Sequence, residues 1–175
     1  PDVCTGTENK DQKMMEIRKA GFADIPLVRE LTFATWPQTY SSLLSKEQVD
    51  YMLEMIYSPA SLQKQMEEGS IFIIVYDDKL PVGFAAYKTI DPLTWKLDKL
   101  YVLASQQGKG TGKFIINYIL DEIKAKQAKA LQLQVNRQNK AKDFYERLGF
   151  KIIQTADFDI GNGYFMNDYV MELVL

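Results

Sequence analysis

The sequence predicts an α+β fold, helices first and a mixed sheet after them, and three observations carry that prediction. Helical spacing dominates from Leu27 to Gly69, and continuous or alternating apolar runs dominate from Ile71 onward. Between Leu93 and Val135 a strand, a helix and a strand follow one another, which calls for parallel neighbours in a sheet that otherwise grows by hairpins. The 175 residues suit one domain that buries roughly two-thirds of its unfolded surface. Residues 14–175 are expected to form that domain, and the polar, aperiodic residues 1–13 a flexible tail.

Element by element, Glu16-Ile17-Arg18 reads as a short strand. Asp24 is a fair N-cap, Pro26 is tolerated in the first turn, and Leu27, Val28 and Leu31 have helical spacing, so a first helix is expected to end by Pro37. Ser45 and Gln48 have the capping-box form, opening a second helix through Val49, Met52, Leu53 and Ile56. Pro59 begins a shorter third that Gly69 closes. Ile71–Tyr76 and Val82–Tyr87 flank the turn Asp77-Asp78-Lys79 as an antiparallel hairpin. Leu93–Leu103 is the next strand, and a glycine-rich turn delivers it into a helix whose Ile115, Ile119 and Ile123 share a face. Leu131–Val135 alternates as a strand and completes a βαβ unit with a right-handed crossover. A short helix, Lys140–Leu148, is closed by Gly149. Phe150–Thr155 and Val170–Val174 then read as closing strands around a loop at Asp159–Gly163, the last strand exposed and able to pair across a dimer.

Composition removes several classes. Apolar residues are 46% and charged residues 25%, ordinary for a globular protein. A formal charge of −2 argues against a nucleic-acid surface spread over the domain. No run approaches the ~20 apolar residues of a membrane helix, and no secretory pattern opens the chain. With Cys4 as the single cysteine, a reducing, cytoplasmic setting is expected. Histidine is absent, so Ser-His-Asp and Cys-His catalysis and the common His-rich zinc sites are impossible, and no metal is expected. Proton transfer falls to carboxylate, Tyr, Lys or water.

The stretch Gln106-Gln-Gly-Lys-Gly-Thr-Gly-Lys113 is the sharpest local feature. Glycines allow backbone amides to approach an anion, and the helix that follows adds unpaired N–H groups and a positive dipole end, so phosphate is the natural occupant. Spacing narrows whose. A Walker loop fits at Gly112-Lys113, but Phe114 stands where the magnesium-binding hydroxyl belongs and Gln107 where the first glycine belongs. A dinucleotide fingerprint starting at Gly108 and Gly110 finds Lys113 in place of its third glycine, and the next strand ends in Asn136 instead of an acid.

Gln-x-x-Gly-x-Gly, Gln107 through Gly112, placed after Leu100-Tyr101-Val102, resembles the motif of the GNAT superfamily of acyl-CoA-dependent N-acetyltransferases. The resemblance extends to Asn139, Ala141, Phe144-Tyr145 and Gly149-Phe150, in the family's order, and is strong from about Leu97 to Phe150. Trp36-Pro-Gln-Thr-Tyr40 and the passage Gly161 to Glu172 look like the bacterial PaiA-type branch, which includes polyamine acetyltransferases.

The resemblance implies a six- to seven-stranded mixed sheet, splayed near its middle close to Val102 and flanked by about four helices. It implies acetyl-CoA as co-substrate, with the backbone of Leu100, Tyr101 and Val102 pairing the pantetheine arm in the manner of an added strand. The amides of Gln107, Gly108, Lys109, Gly110, Thr111, Gly112 and Lys113 would take the pyrophosphate, Lys109 and Lys113 adding charge. Asn139 would bond the pantetheine and Lys142 a CoA phosphate. An amide near Val102 would face the oxyanion, and Tyr145 would be the acid for the leaving thiolate. Asp98 is the first candidate for the base; a salt bridge to Lys96 or Lys99 is the competing reading. Trp36, Tyr40 and Tyr164 would wall the acceptor site, with Asp157, Asp159 and Asp168 attracting a cationic amine. The expected reaction is transfer of an acetyl group to a primary amine of a small molecule, a polyamine in the narrower resemblance, by direct attack in a ternary complex, in a monomer or homodimer. Acetylation of protein N-termini or lysines, or a CoA-binding module without catalysis, are the alternatives.

Overall fold

The computed structural model describes residues 15–175; the tail expected at 1–13 lies outside the described residues. Seven strands form one sheet in the order β1-β2-β3-β4-β5-β7-β6. They are β1 (Met15–Ala20), β2 (Ile71–Asp77), β3 (Leu80–Thr89), β4 (Thr94–Val102), β5 (Ala130–Asn136), β6 (Lys151–Gly161) and β7 (Tyr164–Val174). Every neighbouring pair is antiparallel except β4–β5. The helices are α1 (Ile25–Tyr40), α2 (Lys46–Tyr57), α3 (Pro59–Glu67), α4 (Thr111–Lys124) and α5 (Ala141–Arg147).

Both faces of the central sheet are covered, which explains the continuous apolar run in β2. Its Phe72 and Ile74 join Val28, Leu31, Trp36, Met52, Tyr57 and Leu62 of α1 to α3. Its Ile73 and Val75 join Ile115, Ile116, Ile119 and Ile123 of α4, with Tyr145 and Phe150. A strand buried on both sides loses the polar half of its alternation. No described helix is long and apolar enough to cross a membrane.

Five expectations are corrected. Helix α1 does not stop at Pro37 but continues to Tyr40. A proline inside a helix costs about 3 kcal/mol, yet the last turn buries Trp36 (2% exposed) and Tyr40 (8%), and burying an apolar side chain of Phe size returns roughly 1.5–3 kcal/mol. In α2, Ser45 accepts from the Gln48 amide, but the Gln48 side chain crosses to β7, donating to the Phe165 carbonyl at 2.8 Å.

The closing hairpin is far longer than its sequence reading. β6 and β7 run to a two-residue turn at Asn162 (φ 54°) and Gly163 (φ 78°), the left-handed pair that an Asn-Gly hairpin requires. Nor is β7 an exposed edge: it lies between β5 and β6, and β6 is the edge on that side.

The splay begins earlier than Val102. Strands β4 and β5 pair from Thr94↔Ala130 to Leu97↔Leu133 and then part, β4 staying with β3 to Val102↔Gly83 and β5 with β7 to Asn136↔Asp168. At the parting point Leu97 and Lys99 face Tyr87 and Ala86, leaving Asp98 as the extra residue of a bulge. A bulge bends its strand, and here it turns β4 away from β5.

Candidate active site

Parting leaves an unpaired strand edge inside the sheet. The Leu103 amide donates to the Val82 carbonyl at 2.8 Å. By alternation Tyr101 also faces β3, while the N–H and C=O groups of Leu100 and Val102 face the opening. Gly83 permits this: a Cβ there would meet the Tyr101 carbonyl oxygen at 2.7 Å and Val102 Cα at 3.2 Å.

The glycine loop follows the free edge. A 3-10 turn, Ala104–Gln106, leads to Gly108 (φ 79°) and Gly110 (φ 75°), both left-handed, with nothing within 4 Å of where a side chain would stand. Gly112 is needed for another reason, because the Phe144 ring of α5 would be 3.1 Å from its Cβ. The amides of Gln107 and Lys109 are spent within the loop, on the Ala104 and Gln106 carbonyls. Those of Gly108, Gly110, Thr111, Gly112 and Lys113 find no acceptor among the described residues, so five donors cluster at the start of α4. Lys109 and Lys113 are exposed beside them.

Gln106, which precedes the motif, is buried and braces the loop, accepting from the Thr111 hydroxyl at 3.1 Å and donating to Asp77 at 3.2 Å. The Thr111 side chain therefore faces inward, leaving only its amide for a ligand. Further on, Asn139 accepts from the Ala141 amide at 2.9 Å, closing the turn that leads into α5 and leaving its NH2 group available. Lys142 pairs with Glu146 at 3.2 Å.

On the opposite side of β4 lies a cleft of about 400 Å³. Trp36, Tyr40 and Tyr101 form one wall, with the Tyr40 and Tyr101 hydroxyls 2.9 Å apart; Met52 and Ile56 of α2 and Phe158 and Ile160 of β6 form the other. Tyr164 is not in it, its ring stacking on Tyr51 at 5.3 Å. Of the three loop acids, Asp157 pairs with Arg137 at 2.8 Å and Asp159 accepts from the Gly161 amide at 2.8 Å, so only Asp168 reaches the cleft.

The two carboxylates in the cleft are in opposite states. Burial pushes the Asp98 carboxyl up, but Lys99, then Lys96 and Lys88, outweigh it and hold it below its ordinary value. Its oxygens lie 2.9 Å from Lys99 Nζ and 3.6 Å from Lys96 Nζ. Lys99 is itself buried, donating to Gln65 at 2.6 Å, and burial lowers its pKa despite Asp98. Asp168 is 4% exposed and its Oδ1 has no hydrogen-bond partner among the described residues. Burial raises its pKa to about 6, with Arg137 and Lys96 pulling weakly the other way.

Tyr145 projects from α5 into the core, 8% exposed, against Phe144 and Phe150. Burial raises its phenol well above the ordinary value, with a smaller contribution from Tyr40.

A mixed sheet splayed at a bulge, with a glycine loop and a helix start beside the opening, is the architecture of an acyl-CoA-dependent N-acyltransferase. The free edge, the open face over Gly108 and Gly110 and the cluster of unpaired amides fit the amide-bearing pantetheine arm and the pyrophosphate of that co-substrate. The chain belongs to the GNAT acetyltransferase family: the acetyltransferase (GNAT) domain model matches residues 41–173. It is an N-acetyltransferase, and its acetyl donor is acetyl-CoA.

Among its relatives, a spermidine N(1)-acetyltransferase of Thermoplasma acidophilum is 26% identical over 151 residues, 83% of this chain and 93% of that protein. A ribosomal-protein alanine N-acetyltransferase of Haemophilus influenzae is 27% identical over 110 residues, 62% of this chain and 70% of that protein. The crystal structure of the PaiA N-acetyltransferase from Thermoplasma acidophilum in complex with coenzyme A superposes with a TM-score of 0.78 at 26% identity, covering 92% of this chain and 99% of that one.

Proposed function

We propose that the enzyme transfers the acetyl group of acetyl-CoA to a primary amine of a small molecule, by direct attack while both substrates are bound. One observation carries this reading: a buried carboxylate, Asp168, with an unpartnered oxygen in the cleft where the sheet parts. Acetyl-CoA supplies the activated acetyl group. Leu100 and Val102 offer their edge groups to the pantetheine, and the Gly108 to Lys113 amides bind its pyrophosphate.

The acceptor enters as an ammonium ion, and Asp168 takes a proton from it, directly or through water. With a pKa near 6 Asp168 is ionised at neutral pH yet basic enough to accept that proton. The freed amine attacks the acetyl carbonyl, the nitrogen–carbon bond forms and the carbon–sulfur bond breaks. The Val102 amide faces the oxygen on which negative charge develops, Tyr145 gives its proton to the departing sulfur, and the second proton of the attacking nitrogen passes through water to restore the tyrosine phenol as the amide forms. Asp98, the first choice on sequence, is better employed holding Lys99 and Lys96, which depress its basicity.

A pocket for a small molecule, in place of an open peptide groove, is supported by the way the β6–β7 hairpin is tied over α2. Gln48 bonds to Phe165, and the Tyr51 hydroxyl donates to the Ile160 carbonyl at 2.8 Å. The test is thiol release from acetyl-CoA with both substrates varied. Intersecting initial-rate lines and a loss of kcat in Asp168→Asn but not in Asp98→Asn are expected. Parallel lines, or a variant order reversed, would sink the direct-attack reading or the assignment of Asp168.

A further inference from the structure

The cleft is positive, although the chain as a whole is not. Lys88, Lys96 and Lys99 line it against two carboxylates, Asp98 and Asp168. Lys99 and Asp98 neutralise each other at 2.9 Å, and Lys96 shares that carboxylate at the longer distance of 3.6 Å while donating to Gln134 at 3.0 Å. Lys88 makes no ion pair or hydrogen bond through its side chain among the described residues. In the register of β3 and β4, Lys88 stands directly opposite Lys96. Like charges so placed on antiparallel strands repel and destabilise the pair. Asp98 acts on both, yet it is held at 2.9 Å by Lys99, which leaves these two ammonium groups charge to spare for a further anion between them.

Resting on the proposed amine acetylation, we infer that the acceptor is a primary amine that carries an anionic group, with its amine against Asp168 and its anion against Lys88 and Lys96. A polyamine is disfavoured by the same geometry. One of its ammonium ions would satisfy Asp168, but the others would be brought to the lysines, where like charge repels them. The Thermoplasma relative's acceptor, spermidine, is a polycation, so this chain would share that protein's fold and chemistry but not its acceptor.

The experiment compares acceptors of matched length in the thiol-release assay: aminocarboxylates from β-alanine to ε-aminocaproate, phosphoethanolamine as the phosphate arm, the corresponding monoamines, and the diamines with spermidine. An amine-plus-anion acceptor is expected to exceed its neutral and dicationic counterparts in kcat/KM by about tenfold or more. Lys88→Glu should invert the ratio of aminocarboxylate to diamine, and Lys88→Gln should flatten it. A preference for diamines or spermidine, or a ratio that Lys88→Glu leaves unmoved, overturns the inference. Calorimetry on the CoA-saturated protein separates the two readings. Aminocarboxylate binding weakened by Lys88→Glu, without turnover, keeps the anion site and removes the proposed transfer. No binding of any anionic amine, with thiol release on some other amine, keeps the transfer and removes the anion site.

Discussion

The two sides of the splay are built from different material. The glycine-loop side, from Leu100 to Lys113, is made of backbone: unpaired amides, left-handed glycines and a free strand edge contributed by one continuous stretch. The cleft side is made of side chains brought from α1, α2, α3, β3, β4, β5, β6 and β7. A backbone site recognises a ligand that every member of a family shares, and it tolerates little substitution in its glycines. A side-chain site sets which acceptor enters, and changes there should act on turnover and selectivity while leaving the loop intact.

The largest test of that division is Asp168→Asn, for which kcat is expected to fall about 10²–10⁴-fold with CoA affinity kept. The same change should stabilise the fold near neutral pH. Between the unfolded value of 3.8 and the folded value of about 6, the folded chain holds a proton the unfolded chain has released. Wild-type stability therefore falls as pH rises through that window, by roughly 2–3 kcal/mol at most. Urea melts at pH 4 and pH 7.5 check this: the variant should lack the decline, and a decline of equal size in both proteins would show that Asp168 is not the group responsible. In the wild type kcat/KM should climb as pH passes about 6, because only ionised Asp168 accepts a proton.

Tyr145→Phe comes next, with a loss of about 10²-fold in kcat and an unchanged melting temperature, since the ring keeps its packing. An unaltered kcat would return Tyr145 to a purely structural role. On the other side of the splay, Gly110→Ala forces a side chain into φ 75°, costing roughly 1–2 kcal/mol, and should weaken CoA binding about tenfold by calorimetry while acceptor preference stays fixed. Gln106→Ala leaves the Thr111 hydroxyl and Asp77 without their buried partner, an expected loss of about 1–3 kcal/mol in stability, with weaker CoA binding as a consequence. Smallest of all, Lys142→Ala should change CoA affinity by no more than about twofold, because its charge is already matched by Glu146.

The same division explains what could be read from the chain. Gly108, Gly110 and Gly112 are interpretable in place because positive φ and close approach are local demands that leave glycines behind. The order of helices and strands was likewise legible, because apolar spacing follows each element's own period. The length of the closing hairpin is legible too, because Asn162-Gly163 is a strong two-residue turn signal. Pro37 misled because local propensity argues for a helix end, whereas burial of Trp36 and Tyr40 carries the helix past it. Tyr164 misled differently, since its ring is claimed by Tyr51 from a helix more than a hundred residues earlier.

By itself the sequence determined the family, the backbone cradle for the acetyl donor and the absence of histidine chemistry, all of which depend on residue types and short spacings. The tertiary structure alone decided where β4 leaves β5, that Asp98 is matched by two lysines while Asp168 is left unpaired, and that Lys88 and Lys96 confront each other across a strand pair. Backbone conformation is set within a few residues, whereas the state of a buried charge depends on whichever groups the fold brings to it and on how far it excludes water from them.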